Sequence, residues 1–178
     1  FIATVIYSFR TYDFYRPEVA GWAGFSNYAF VFQDATFRAA AWNTVVMTVG
    51  SVLGALILGL IFALLLNRSF RGRGIVRTLL ITPFLIMPVA AALLWKFMMF
   101  DASAGLVNFV LSPIFGDTEW LASYPMVSVI TAIVWRWTPF MMLILLAGLQ
   151  SQDAEVLEAA RVDGASGWSQ FRFMTIPH

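Results

Sequence analysis

The sequence predicts an all-α polytopic membrane protein, in which several helices cross a lipid bilayer. Of its 178 residues, 60% are apolar and only 12% are charged, whereas about 25% of the residues of a typical soluble domain are charged. The apolar residues also form long uncharged windows, and a helix that crosses the hydrocarbon core needs about 20 such residues. Cysteine is absent and the single histidine is His178, which argues against a disulfide framework, a zinc site or a Ser-His-Asp triad.

Four apolar segments are predicted to lie in the membrane: 1–9 as the end of a span, 43–67, 78–100 and 124–150. No charged residue occurs between Arg38 and Arg68, and the two later spans contain one charge each, Lys96 and Arg136. The given sequence begins inside an apolar segment and ends at His178, directly after a proline. We therefore expect one transmembrane domain that is truncated at both ends.

The predicted spans differ in their internal chemistry. Small residues recur at every fourth position of span 43–67, a spacing that lets helix backbones approach closely in lipid; they are Ser51, Ala55, Gly59 and Ala63. The later spans contain Pro83, Pro88 and Pro139, and each proline removes one backbone donor. Two interpretations stay open for these prolines: a simple kink, or a broken helix beside a water-filled substrate path.

The distribution of arginine predicts the orientation, because cytoplasmic connections carry more Lys and Arg. Two connections together hold six arginines, four in 68–77 and two in 151–177, and are predicted to be cytoplasmic because the other two together hold three. The others are predicted to be external: 10–42, with Arg10, Arg16 and Arg38, and 101–123, with only acidic charges. In the last of these, residues 105–111 are expected to form a short interfacial helix that ends at Ser112–Pro113.

Two charges lie within predicted spans. Lys96 is interpreted as a lysine that extends to the outer surface from an aromatic belt. Arg136 lies roughly 18 Å along its helix from the outer end of the span, between Trp135 and Trp137. Guanidinium donors and indole faces would suit the hydroxyls and C–H faces of a neutral polyhydroxylated molecule. The alternative is a structural arginine that pairs with a backbone carbonyl or a carboxylate.

The segment 151–177 is polar and predicts a helix, a sharp turn and a second helix. Ser151 or Asp153 is expected to cap a helix that starts near residue 154, and Gly164 to supply a left-handed turn. Ser166 is expected to cap a second helix over 167–173. Such a segment suits docking to a cytosolic partner, and a plain interfacial helix is the alternative.

The same segment resembles the EAA loop of binding-protein-dependent ABC importer permeases. The resemblance depends on the EAA triplet at 158–160, then Gly164, then Ile-Pro at 176–177. The sequence DGAS at 163–166 is similar to the carbohydrate branch of that family. The runs 81–85 and 175–178 are more similar to its sugar-alcohol (polyol) permeases.

The resemblance implies a type I ABC importer transmembrane domain with a core of about six spans, in the plasma (inner) membrane of a prokaryote. Such a subunit is not itself an enzyme and has no cofactor of its own, because partner ATPase subunits bind ATP and Mg. The implied partners are two ATPase subunits, a second and different permease, an extracytoplasmic substrate-binding protein and lipid, with no nucleic acid. The resemblance places coupling to the ATPase on seven residues: Glu158, Ala159, Ala160, Asp163, Gly164, Ile176 and Pro177.

Competing functions fit the sequence less well. An ion-coupled secondary transporter would be expected to carry acidic residues within its spans, and the predicted spans contain none. A membrane enzyme would need catalytic groups, and these spans offer only Lys96 and Arg136. A scaffold or channel subunit would leave the 151–177 segment unexplained. The sequence therefore favours a permease subunit that moves a sugar or sugar alcohol.

Overall fold

The computed structural model describes residues 1–11, 15, 18 and 20–177. Arg16 and His178, which entered the orientation and the polyol resemblance, lie outside the described residues. The chain divides into two compact units, residues 1–48 and residues 49–178. Its described residues are mostly helical and include only two strands of two residues each, which confirms the predicted fold class.

The first unit contains short elements: α1 (Ile2–Ser8), β1 (Arg10–Thr11), β2 (Gly21–Trp22) and α2 (Ser26–Gln33). The two strands pair antiparallel. The Phe9 ring organises this unit, with centroids 5.8 Å from Trp22, 5.3 Å from Phe25 and 5.4 Å from Tyr28. Aromatic contacts of this kind hold an otherwise exposed segment in one arrangement.

The longest helix, α3, runs over Ala35–Asn67 and begins well before the predicted span 43–67. Its start is fixed locally, because the Asp34 carboxylate accepts a hydrogen bond from the Thr36 amide at 2.8 Å. A helix of 33 residues is about 50 Å long, so it exceeds the hydrocarbon core by roughly 20 Å. Hydropathy marks where a helix can meet lipid, whereas the cap marks where the helix begins.

The segment predicted as one span over 78–100 is two helices. They are α4 (Arg73–Leu85) and α5 (Pro88–Leu94), and a π-helical segment, π1 (Trp95–Met99), continues α5. The axes of the two parts differ in direction by 101°. The break lies at Ile86 and Met87, which are extended with ψ of 132° and 138°. Met87 precedes Pro88, and a residue before proline is disfavoured in the α region. Pro83, by contrast, lies inside α4.

The loop that follows is organised by one buried side chain. It contains α6 (Leu106–Phe115) and α7 (Trp120–Ser123). The Asn108 amide donates to the carbonyls of Ala102 at 2.8 Å and Thr118 at 3.0 Å, and its oxygen accepts from the Trp120 indole at 2.6 Å. The expected helix end at Ser112–Pro113 is wrong, since α6 continues to Phe115 before Gly116.

The second long helix, α8 (Pro125–Gln150), packs closely on α3. A Cβ built on Gly54 would lie 2.7 Å from Val134, and one on Gly59 would lie 2.8 Å from Met141. The predicted small-residue face of α3 is confirmed, because all four of its residues are buried. They are Ser51, Ala55, Gly59 and Ala63, and Leu66 is buried with them. By length and composition α3 and α8 could each cross a membrane, and the bent α4–α5 pair could be a third span.

Candidate functional site

The segment after α8 begins with a capped helix, α9 (Ala154–Val162). The Asp153 carboxylate accepts a hydrogen bond from the Glu155 amide at 3.0 Å, which satisfies an amide that the first turn of a helix leaves free. Of the two predicted caps, Asp153 is confirmed. Ser151 instead ends α8, where its hydroxyl donates to the Gly148 carbonyl at 2.9 Å.

The turn after α9 is a Schellman motif around Gly164. The Gly164 amide donates to the Arg161 carbonyl at 3.1 Å, and the Ala165 amide donates to the Ala160 carbonyl at 2.9 Å. This paired pattern closes a helix through one residue in the left-handed region. Gly164 has φ of +82°, so the predicted left-handed turn is confirmed.

The second arm consists of α10 (Gly167–Gln170) and a π-helical segment, π2 (Phe171–Thr175). The Ser166 hydroxyl accepts from the Ser169 amide at 3.2 Å, which confirms the predicted cap. The predicted helix 167–173 thus changes its hydrogen-bonding pattern halfway and continues to residue 175.

Side chains on the inner side of this segment tie its parts together. The buried Gln170 amide donates to the Ala165 carbonyl at 2.9 Å, so the second arm is fixed to the turn. The Thr175 hydroxyl donates to the Gln152 side-chain oxygen at 3.4 Å, which connects the second arm to the end of α8. The segment is therefore a defined helix–turn–helix that stands on α8.

The outer side of the helix–turn–helix carries most residues that the family resemblance singled out. Ala160 is buried at 7% exposure, whereas the other six are exposed: Glu158, Ala159, Asp163, Gly164, Ile176 and Pro177. Large apolar side chains are exposed beside them, with Val162 at 87%, Trp168 at 69% and Phe173 at 70%. Exposed apolar groups next to charged ones are typical of a surface that binds another macromolecule.

The three neighbours Trp135, Arg136 and Trp137 lie on different sides of α8. Trp135 packs its ring edge-to-face against Trp95, with centroids 5.7 Å apart. Trp137 contacts Phe84 of α4 at 5.8 Å, and the Arg136 guanidinium carbon lies 6.0 Å from the Trp137 ring centre. Only Arg136 and Trp137 line the neighbouring cavity, so the structure separates Trp135 from the other two.

That cavity lies between α5, π1 and α8 and has a volume of about 330 Å³. Its wall is mostly apolar, with Arg136, Lys96 and Ser128 among the polar residues. The Ser128 hydroxyl is satisfied by the carbonyls of Trp120 and Tyr124, each at 3.0 Å. The Arg136 Nε is buried and has no hydrogen-bond partner among the described residues. A mostly apolar pocket with a few fixed polar groups is typical of a small-molecule site.

Trp95 also lines the cavity, although the sequence did not single it out as a candidate. Five residues of the α5–π1 helix line the cavity: Pro88, Ala91, Ala92, Trp95 and Lys96. Their spacing of three, one, three and one residues places them on one helical face. That spacing is visible in the sequence and could have grouped Trp95 with the other residues of this face.

Comparisons with known proteins place these features in a family. The family of binding-protein-dependent transport system inner membrane components matches residues 55–178. The probable ABC transporter permease protein y4oQ of Sinorhizobium fredii is 37% identical over 94% of this chain and 58% of its own length. The trehalose/maltose transport system permease protein MalF of Thermococcus litoralis is 37% identical over 86% of this chain and 53% of its own length. The chain thus spans about half the length of these curated relatives.

A solved structure agrees with the sequence matches. It is a bacterial alginate ABC transporter in complex with an alginate pentasaccharide-bound periplasmic protein. One of its chains superposes with a TM-score of 0.71 at 29% identity, covering 86% of this chain and 55% of that one. Because the family match covers most of the sequence and includes the whole α8 to π2 region, the chain belongs to the binding-protein-dependent transport system inner membrane components.

Proposed function

We propose that this chain is part of a permease subunit of an ABC importer that moves a carbohydrate, a sugar or a sugar alcohol, into the cell. ATP hydrolysis in separate ATPase subunits would drive the movement. The observation that carries this proposal is the capped helix–turn–helix at 154–175, which exposes charged and apolar side chains after the end of α8.

The helix–turn–helix has the properties expected of a coupling element. Both of its helices have side-chain caps, at Asp153 and Ser166, and the Gly164 turn fixes the angle between them. A rigid element of this kind transmits the movement of a bound partner instead of absorbing it. We assign docking of the ATPase to its outer side, with Glu158 as the charged contact.

The cavity beside α8 supports a carbohydrate as the cargo. Arg136 offers an unpartnered donor and Trp137 an aromatic face, and hydroxyl oxygens and C–H faces complement these two groups. The relatives agree in class, since one is named for trehalose and maltose and the solved transporter for alginate. A sugar alcohol remains within this proposal because it presents the same two kinds of surface.

The proposed assembly contains two ATPase subunits with their ATP and Mg, a second and different permease, and an extracytoplasmic binding protein. The last partner is supported by the periplasmic protein named in the solved alginate transporter. Connections 68–77 and 151–177 would face the cytoplasm, and 10–42 and 101–123 the exterior.

Purification and reconstitution test the proposal together. The permease, purified from membranes, should bring an ATPase subunit with it, and proteoliposomes should take up a labelled sugar or sugar alcohol only when ATP is present. Uptake that follows an imposed proton or sodium gradient without ATP would refute the proposal and favour a secondary transporter.

Variants of the cavity test where the cargo passes. Arg136→Gln and Trp137→Ala should lower uptake per assembled complex by about 10-fold, because each removes a contact of roughly 1–1.5 kcal/mol, while the ATPase stays attached. Loss of assembly with unchanged uptake per remaining complex would instead mean that Arg136 is a structural arginine.

A further inference from the structure

Trp95 lines the same cavity as Arg136, and its side chain carries a second buried donor. The indole Nε1 of Trp95 and the Nε of Arg136 are both buried and lack a hydrogen-bond partner among the described residues. Each of these groups can only donate. A buried donor without an acceptor is costly, and native proteins contain few of them. A ligand in the cavity that reached either N–H with an oxygen atom would supply the missing acceptor.

The indole of Trp95 is held in place from two sides. Its ring centre lies 5.7 Å from that of Trp135 and 5.0 Å from that of Phe100. The Phe100 amide also donates to the Trp95 carbonyl at 2.9 Å, the π-helical bond that defines π1. Because the ring is fixed before a ligand arrives, little side-chain entropy is lost on binding.

The remaining polar groups of the cavity indicate what kind of ligand fits. Lys96 and Arg136 are donors, and the Ser128 hydroxyl already donates to backbone carbonyls. The ligand should therefore supply oxygens that accept. The volume of about 330 Å³ is at the small end of the range for ligand pockets, roughly 300–1,000 Å³, so the partly open cavity holds one monosaccharide unit or a short sugar alcohol.

We infer that Trp95 is a specificity-determining residue whose indole N–H donates to a hydroxyl oxygen of a monosaccharide-sized cargo. This inference rests on the proposed function, because it names a further contact in the proposed cargo path. Trp135 then supports Trp95 by packing against its ring, and does not itself contact the cargo.

Competition between two cargoes tests this role. The probes are labelled D-glucose and D-sorbitol, each paired with analogues that lack one hydroxyl, such as 2-deoxy-D-glucose. Proteoliposomes that contain the assembled transporter and excess binding protein take up each pair together, and the ratio of the two uptake rates is measured per assembled complex. Wild type should prefer the parent over the analogue that lacks the contacted hydroxyl by about 2- to 10-fold, the size of one hydrogen bond.

Trp95→Phe keeps an aromatic ring but removes the N–H, so it should abolish that preference for one analogue and leave the others unchanged. Trp95→His restores a ring N–H and should recover part of the preference. Trp42→Phe is the matched control, because Trp42 is 67% exposed on α3 and its change should leave every ratio unaltered.

The outcomes separate the two proposals. Unchanged ratios in Trp95→Phe for every analogue, with wild type still transporting the parents, would overturn the role of Trp95 and leave the proposed function intact. Lower thermal stability or assembly with unchanged ratios would overturn it too, since the N–H would then serve another part of the protein. If wild type took up no carbohydrate in the presence of ATP, the proposed function would fail, and the inference with it.

Discussion

Substitution of Gly164 isolates the backbone of the proposed coupling turn from its side-chain contacts. Its φ is +82°, and a Cβ built on it would meet nothing within 4 Å. The penalty of Gly164→Ala therefore comes from the left-handed backbone alone, about 1–2 kcal/mol. A penalty of that size lowers the equilibrium constant for forming the turn by about 5- to 30-fold. Gly164→Val should cost more, because a β-branched residue is least tolerated at positive φ.

Loss of the turn would release the hydrogen bonds from Gly164 to Arg161 and from Ala165 to Ala160, so the two arms would no longer keep a fixed angle. ATP-driven uptake per assembled complex is the assay, measured beside ATP hydrolysis. Uptake should fall in the order wild type, Gly164→Ala, Gly164→Val, while insertion into the membrane is unchanged. Gly164→Asn should retain most uptake, since asparagine adopts the left-handed region more readily than alanine does.

Gly167→Ala is the matched control. Gly167 opens α10, has no positive φ, and would also meet nothing with an added Cβ. This variant should transport like wild type. Full transport in Gly164→Val, or an equal loss in Gly167→Ala, would refute the reasoning, because the left-handed turn would then not be what couples the arms.

Three further changes test other parts of the structure. Ser69→Cys in the connection after α3 should resist an impermeant thiol reagent applied to intact cells, whereas Ala102→Cys should react, and the reverse pattern would invert the proposed orientation. Gly59→Ala should destabilise the fold by about 1–3 kcal/mol in a thermal melt, because its Cβ would lie 2.8 Å from Met141. Gly74→Ala is the control and should not lower the melting temperature, because its Cβ would have nothing within 4 Å. Equal melting temperatures of the two variants would refute close α3–α8 packing. The Ser103 hydroxyl and the amides of residues 104 and 103 hold the pKa of Asp101 below its ordinary value of 3.8. Asp101→Ala should therefore lower the melting temperature at neutral pH, and the difference from wild type should close as the pH falls below 3.8 and the wild-type carboxylate takes up its proton. A difference in melting temperature that is constant with pH would mean that the charge is not involved.

Local chemistry made the helix–turn–helix predictable from the sequence. Asp153 and Ser166 accept hydrogen bonds from nearby amides, and Gly164 adopts a positive φ because it has no Cβ. Each of these signals therefore acts within a few residues. The small-residue face of α3 was also predictable, because a helix brings every fourth residue to one side. Neither feature depends on the rest of the chain.

Tertiary context decided what the sequence left open. Pro83, Pro88 and Pro139 have the same backbone chemistry, yet only Pro88 lies at a break. A freed carbonyl is tolerated inside a helix when its surroundings satisfy it, and a sequence does not record those surroundings. The structure separates Trp135 from Trp137 for a simpler reason, because residues two apart point to opposite sides of a helix.

Because α8 is one continuous helix, Pro125–Gln150, a movement at one of its ends is transmitted toward the other. Its last turn carries the proposed docking segment, and Arg136 lies about 21 Å along the same axis, so a tilt imposed at one end displaces the cavity wall at the other. Between these points stands Pro139, which has no N–H to donate to the carbonyl of Trp135. The helix therefore lacks one backbone hydrogen bond between Gln150 and Arg136. A force applied at Gln150 would bend α8 at Pro139 before it moved Arg136.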